Sequence, residues 1–166
     1  STRGGTSAKT CRRISPSLHL PKLLCRSVKQ TIAELCGVLK AHPDRFYGFG
    51  MVPFSLTNEE TAAWVAENII GNGLKGIGEI SPASGTVKLL PPIFKAASEY
   101  ERLPLWLHTF HPVTRKDITE IAALCGQFPT VPVIFGHMGG VNWLDAIHLA
   151  KEHSNIYLDL SAAFTA

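Results

Sequence analysis

Three polar residues, Glu79, His108 and His137, stand where three short apolar stretches of the sequence end. A carboxylate and two imidazoles that converge on one point form a site for Zn²⁺ or a similar divalent cation. A single histidine beside an apolar strand is more often an ordinary structural residue. Two histidines and a glutamate at the same depth on three strands favour metal ligation, and we predict that all three bind the metal.

Two further residues are candidates for the same site. Asp159 ends the last apolar stretch, and His111 follows His108 by three residues. We predict that Asp159 orients a ligand or a substrate, with a structural role as the alternative. His111 is predicted to face the substrate or to support a metal ligand from behind. Three other histidines are predicted to be structural: His42, His148 and His153.

A nucleophilic triad has no support in the sequence. No Gly-x-Ser-x-Gly motif occurs, and no cysteine stands at the end of a predicted strand. The four cysteines also lack any Cys-x-x-Cys spacing, which excludes a zinc ribbon and a thioredoxin-like motif. Reduced thiols predict a cytoplasmic protein.

The candidate residues need a scaffold that brings strand ends together. Apolar stretches predict strands at 46–52, 74–80, 105–109, 131–136 and 156–160. Helical spacing predicts helices at 28–39, 88–100, 115–125 and 143–153, and one from Thr57 or Asn58 to Gly71. This alternation predicts an α/β fold with a parallel sheet. A doubly wound sheet and a (β/α)₈ barrel both fit, and both gather the carboxyl ends of the strands on one face.

Two other patterns resemble a dinucleotide-binding motif and a membrane span, but neither fits its context. Residues 71–76 match Gly-x-Gly-x-x-Gly, but the match follows a helix and opens a strand, so it is not a dinucleotide fingerprint. Residues 121–144 carry no formal charge, yet they contain two prolines and four glycines. That density of helix breakers excludes a membrane-spanning helix.

Composition and charge divide the chain into two parts. The 166 residues are 45% hydrophobic and 17% charged, which is typical of a folded domain. Residues 1–33 hold seven Lys and Arg and no acidic residue, whereas residues 34–166 hold nine against thirteen. We interpret residues 1–33 as a basic tail that is poorly ordered or aberrant, with a transit peptide as an alternative. The mildly acidic domain 34–166 indicates no nucleic-acid partner.

Four segments resemble the amidohydrolase-related family of metal-dependent TIM-barrel enzymes. They are Gly-Ile-Gly-Glu-Ile (76–80), Pro-Leu-Trp-Leu-His-Thr (104–109), Val-Ile-Phe-Gly-His-Met-Gly-Gly (133–140) and Asn-Ile-Tyr-Leu-Asp-Leu-Ser (155–161). The resemblance implies that His108 is the fifth-strand metal ligand and that His137 is the sixth-strand histidine, which binds metal or substrate. Glu79 matches the fourth-strand position, a ligand in some branches of the family.

The family pattern also implies strands that the sequence does not show. No His-x-His pair of the first strand occurs, and the sequence stops just after the seventh strand, before the eighth-strand aspartate. We therefore expect a partial (β/α)₈ barrel of strands three to seven. The open strand edges predict a homo-oligomer. The isolated chain is expected to bind metal weakly or not at all and to show no appreciable hydrolase activity.

The resemblance implies a metal-dependent hydrolase that acts on a small carboxylate or cyclic substrate, or a related non-oxidative decarboxylase. The cofactor would be a divalent metal, zinc in our prediction, with His137 and Asp159 as catalytic residues. The partner would be a small molecule, with neither nucleic acid nor membrane. An alternative is a non-catalytic, truncated barrel fragment that serves as a binding module or is inactive. A related metal-dependent deoxyribonuclease also fits the ligands, but the acidic balance argues against it.

Overall fold

The computed structural model describes residues 23–25, 32–54, 56–100 and 102–162. The strands are β1 (Leu23–Cys25), β2 (Phe46–Gly50), β3 (Gly76–Ile80), β4 (Leu105–His108), β5 (Val133–Gly136) and β6 (Ile156–Leu158). The α-helices are α1 (Ile32–Ala41), α2 (Asn58–Trp64), α3 (Pro91–Ser98), α4 (Arg115–Gln127) and α5 (Trp143–Glu152). The described residues also form a π-helix (Val65–Ile70), a 3₁₀ turn (Val87–Leu89) and a compact turn at His137–Asn142.

The predicted basic tail, residues 1–33, lies largely outside the described residues. So does the beginning of the helix predicted from residue 28. Within this segment, Leu23–Cys25 forms β1, a strand that the sequence analysis does not predict. The boundary between tail and domain at residue 33 stays a prediction.

The sheet is parallel throughout, and its strands follow one another in chain order from β1 to β6. A doubly wound sheet would reverse its strand order at a switch point. The unbroken order is that of a (β/α)₈ barrel wall, in which each strand is followed by a helix. The predicted α/β class and partial-barrel architecture are confirmed, and the doubly wound alternative is excluded for the described strands.

The two faces of the sheet differ in what covers them. Side chains that pack against the helices are fully buried, among them Leu105, Leu107, Val133 and Phe135. The intervening residues lie on the other face, where Trp106 pairs with Ile134 and Ile134 with Tyr157. Tyr157 is 54% exposed. The core therefore lies between the sheet and its helices, and the site-bearing face is more open near β6.

Local sequence signals explain where the helices begin. Thr57 caps α2 with a reciprocal capping box, because the Glu60 N–H donates to Thr57 Oγ1 and Glu60 Oε2 accepts from the Thr57 N–H. The helix predicted from Lys88 starts later, at Pro91, since proline fits the first turn of a helix but not its interior. Among the described residues, no helix has the length and apolar character needed to cross a bilayer.

Asn155 joins the end of α4 to the start of β6. Its side chain is buried, and Nδ2 donates to the carbonyls of Cys125, Phe128 and Val131 at 3.0, 3.2 and 3.0 Å. We expect Asn155→Ala to lower the free energy of unfolding by about 1–3 kcal/mol, because buried carbonyls lose their donor. Urea titration measures the change. The exposed Asn72→Ala is the control and should change stability by less than about 0.5 kcal/mol; equal effects would contradict the prediction.

Asp117 links the N-terminus of α4 to the loop after β3. Its carboxylate accepts from the Thr114 main chain at 2.8 Å, the Thr114 hydroxyl at 2.6 Å and the Gly85 N–H at 2.8 Å. Burial alone would raise the pKa of this carboxyl group, but the hydrogen bonds from Thr114, Gly85 and Ser84 outweigh burial and hold the pKa below 3.8.

We expect a pH-dependent contribution from Asp117. A lowered folded-state pKa means that the carboxylate stabilises the fold above pH 3.8, its ordinary pKa, and loses this effect as pH falls further. Asp117→Asn should therefore reduce stability at pH 7 by about 1–3 kcal/mol and flatten the loss of stability on acidification. Urea titrations between about pH 7 and pH 2.5 test this. The exposed Asp44→Asn is the control and should change stability at pH 7 by less than about 0.5 kcal/mol.

Candidate metal centre

Neighbouring parallel strands bring three predicted ligands to one edge of the sheet. Glu79 is the fourth residue of β3, His108 is the last residue of β4, and His137 directly follows β5. One ligand atom from each of the three lies within 4.8 Å of the others. The three residues chosen from the sequence are thus the ones that the fold gathers.

Glu79 is the centre of the group. Its Oε1 lies 3.1 Å from His108 Nδ1 and 3.4 Å from His137 Nε2. The two imidazole rings are 4.9 Å apart at 73° to one another. The Glu79 side chain is fully buried, whereas both imidazoles reach the surface in part. A buried carboxylate is costly unless positive charge or hydrogen bonds compensate for it, so this group favours a cation.

Main-chain carbonyls lie behind both imidazoles. His108 Nε2 is 3.2 Å from the His111 carbonyl, and His137 Nδ1 is 2.7 Å from the Ser161 carbonyl. A carbonyl and a carboxylate both only accept, so a neutral ring can donate its single N–H to only one of its two partners. In the tautomer that donates to the carbonyl, the other ring nitrogen turns its lone pair toward Glu79. Metal-binding histidines have the same arrangement.

The donor set fits a zinc-type cation. Two imidazole nitrogens and one carboxylate oxygen are ordinary zinc ligands, and three protein ligands leave a position for water or substrate. Tetrahedral bonds of about 2.0–2.1 Å separate ligand atoms by about 3.4 Å. The 3.1 and 3.4 Å separations around Glu79 Oε1 are close to that value.

Gly78 allows β3 to approach β4 closely beside the ligands. A Cβ atom at Gly78 would lie 2.7 Å from Trp106 Cβ and 2.8 Å from the Trp106 carbonyl oxygen. The pairing of β3 with β4 also shifts register between Ile77 and Ile80, which brackets Glu79. A glycine in this strand is therefore part of how Glu79 meets His108. Gly78 was not predicted as a site residue, although a glycine within a strand signals such an approach.

A left-handed turn presents His137. His137 and Met138 have φ values of 63° and 53°, followed by Gly139 and Gly140 at 80° and 55°. The left-handed region costs a non-glycine residue roughly 1–2 kcal/mol, so surrounding contacts must hold the first two. The Thr109 hydroxyl donates to the Gly136 carbonyl at 2.6 Å and accepts from the Gly139 N–H at 2.9 Å.

Asp159 lies behind His137. Its carboxylate accepts from the His137 N–H at 3.3 Å and from the main chain of Ser161 at 3.1 Å, and the Ser161 hydroxyl also donates to it. Asp159 is not in the group of candidate ligands. Its contacts agree with the orienting role considered for it, while its catalytic role stays a prediction.

The His111 side chain is exposed, and its carbonyl is the group that contacts His108. The contact with His108 comes from the His111 main chain, while the predicted role of its side chain, toward the substrate or behind a metal ligand, stays a prediction. Thr109 and Ser161 were not predicted as site residues. Thr109 has a weak signal, a polar residue between a strand and its loop, whereas a main-chain carbonyl has none.

Cys125 is not a candidate nucleophile. Cys125 is fully buried in the core, and burial raises the pKa of its thiol to about 12. Thiolate, the reactive form, is therefore scarce at neutral pH. Within the part of the chain that the structure describes, Glu79 and the two histidines are the group that could hold a metal ion.

Comparison with known proteins places the fold. The chain resembles the crystal structure of an uncharacterized TIM-barrel protein from Bordetella bronchiseptica, with a TM-score of 0.69 and 21% identity over 84% of this chain and 54% of that one. It also aligns with 2,6-dihydroxybenzoate decarboxylase from Rhizobium, with a TM-score of 0.46 and 16% identity over 65% of this chain and 43% of that one. The chain spans about half the length of these structures. Among curated proteins there is no match.

The family is established by sequence over most of the chain. The family model described as amidohydrolase matches residues 20–166. This range includes Glu79, His108 and His137, and it confirms the family predicted from the four motif segments. The TIM-barrel neighbour agrees with the unbroken order of parallel strands. The chain belongs to the amidohydrolase family.

Proposed function

We propose that this chain carries part of the active site of a metal-dependent hydrolase that acts on a small carboxylate-bearing or cyclic substrate. A non-oxidative decarboxylase is the related reaction that the same residues support. The carrying observation is that Glu79, His108 and His137 converge while main-chain carbonyls orient both imidazoles. We propose zinc as the cation, since two imidazoles and a carboxylate suit it.

Each residue has a distinct task in this proposal. The buried Glu79 carboxylate supplies negative charge, and His108 and His137 supply neutral nitrogen ligands. The carbonyls of His111 and Ser161 keep the imidazole N–H groups turned away from the metal. A bound divalent cation acts as a Lewis acid, which polarises a carbonyl and lowers the pKa of water from about 15.7 toward about 7. Asp159 holds the His137 main chain in this proposal and remains a candidate catalytic residue.

An aromatic side chain beside the ligands supports the cyclic-substrate part of the proposal. The Phe110 ring lies 6.2 Å from the His137 ring and packs against Gly140, yet Phe110 is 37% exposed. An exposed ring next to a metal site offers an apolar contact for a planar or cyclic ligand.

A binding module without catalysis is the second candidate. Large apolar side chains are exposed near the same edge of the sheet, namely Val141, Trp143, Leu144, Tyr157 and Leu160. Such surface is typical of contact with another protein or another copy of the chain. We propose a homo-oligomer on this basis.

We also propose a cytoplasmic location, since Cys36 and Cys125 are free thiols.

Metal binding is the first test. We expect the zinc- or cobalt-loaded chain to hold one ion, weakly. His108→Ala and His137→Ala should each reduce affinity at least about tenfold, because each removes one of the three candidate ligands in the described part of the chain. Competition with a chromophoric chelator measures the affinities. His148→Ala, which removes an exposed histidine of α5, is the matched control. Wild-type affinity no higher than that of the His108→Ala/His137→Ala double variant would refute the site.

Product analysis separates the candidate reactions. Because this chain carries only part of the proposed active site, we expect turnover in a longer protein that completes the barrel around these residues. With zinc, that protein should release an acid or an amine from a small cyclic amide or carboxylate-bearing amide, and His137→Ala should abolish the release. Release of carbon dioxide from a cyclic carboxylic acid would instead assign the decarboxylase reaction. Stoichiometric metal without turnover of either substrate type, together with self-association by light scattering, would favour the binding module.

A further inference from the structure

We propose that Thr109 is a positioning residue, whose hydroxyl aligns His137 with Glu79 and His108 by holding both ends of the left-handed turn. This inference rests on the proposed metal site, because alignment matters only if the three residues share a ligand. Thr109 lies one residue beyond β4, directly after the candidate ligand His108. It is completely buried, with 0% of its surface exposed.

The Thr109 hydroxyl makes two hydrogen bonds whose directions are fixed by chemistry. A carbonyl only accepts, so the hydroxyl proton goes to the Gly136 carbonyl. The Gly139 N–H only donates, so it meets a lone pair of the same oxygen. Both bonds form at once, and the Thr109 N–H adds a third contact to the Gly136 carbonyl at 3.3 Å.

These contacts lie on both sides of His137 in the sequence. Gly136 precedes His137 and Gly139 follows it by two residues, so one hydroxyl joins the two sides of the turn. His137 and Met138 between them both have positive φ. The direction in which the His137 side chain leaves the backbone therefore depends on a turn that Thr109 closes from the β4 side.

Asp159 holds the same turn from the β6 side. It accepts from the His137 N–H, and the Ser161 carbonyl beside it accepts from His137 Nδ1. With Asp159 and Ser161 in place, the ring still depends on the position of its own Cα. Thr109 sets that position relative to β4, the strand that carries His108, and so couples the two imidazoles.

Substitutions at Thr109 test the proposal in the full chain. Thr109→Val keeps the shape and removes both hydroxyl hydrogen bonds, while Thr109→Ser keeps the hydroxyl. We expect Thr109→Val to weaken Co²⁺ binding about ten- to a hundredfold and to change the visible absorption spectrum of bound Co²⁺. Thr109→Ser should stay within about twofold of wild type. Unchanged affinity and spectrum in Thr109→Val, or a loss in Thr109→Ser equal to that in Thr109→Val, would overturn the proposal.

A control variant separates positioning from stability. Thr61 is also a buried threonine, and its hydroxyl donates to the Thr57 carbonyl at 2.7 Å, away from the candidate metal centre. Thr61→Val should lower stability in urea and leave the Co²⁺ spectrum unchanged. If Thr61→Val altered the spectrum as Thr109→Val does, the effect would be one of general stability and the proposal would fail.

A measurement without metal distinguishes this proposal from the metal site itself. Hydrogen exchange of the Gly139 amide in the metal-free wild type should be slow, and faster in Thr109→Val than in Thr109→Ser. A Gly139 amide that exchanges as fast as an exposed one would overturn the proposal, even if Thr109→Val does not fold. Slow exchange in a wild type that binds no Co²⁺ would refute the metal site and, with it, the alignment role, while retaining the turn contact.

Discussion

The buried carboxylate of Glu79 is the constraint on which the site edge of the sheet depends. An ionised group in an apolar interior needs compensation, and here two imidazoles approach the same carboxylate oxygen. Both imidazoles are backed by carbonyls, which are acceptors as well. Two neutral rings have only two N–H groups for three acceptors, namely Glu79 and the two carbonyls. A cation shared by the three side chains would neutralise the carboxylate and leave both N–H groups to the carbonyls.

Close contacts between the strands bring Glu79 and the two imidazoles together. Glycines at 78 and 136 stand where a Cβ atom would lie within 3 Å of Trp106 atoms. Close packing thus sets the separation of strands that bear the ligands, and the order of the strands sets the sequence in which ligands appear. The helices bury the opposite face, so the stability of the wall and the chemistry of its edge are carried by different sets of residues.

The three candidate ligands can be predicted from the sequence because each ends a recognisable apolar stretch, and parallel strands end at a common edge. The spacing of strands and helices does not distinguish the doubly wound sheet from the barrel, because the two folds share that spacing and differ in strand order. The roles of Thr109 and Ser161 cannot be predicted in this way because they depend on the His137 turn, whose backbone conformation no periodicity reports. The late start of α3 at Pro91 was readable from proline's lack of an N–H, but the apolar spacing from Lys88 obscured it.

Each candidate ligand comes from a different strand, and each strand forms its own unit with the helix that follows it. Each unit supplies one member of the ligand set, but the units are not independent, because Thr109 after β4 holds the turn that follows β5. A substitution at one ligand position would therefore change the ligand set by one member and leave the buried face that packs against the helices as it is.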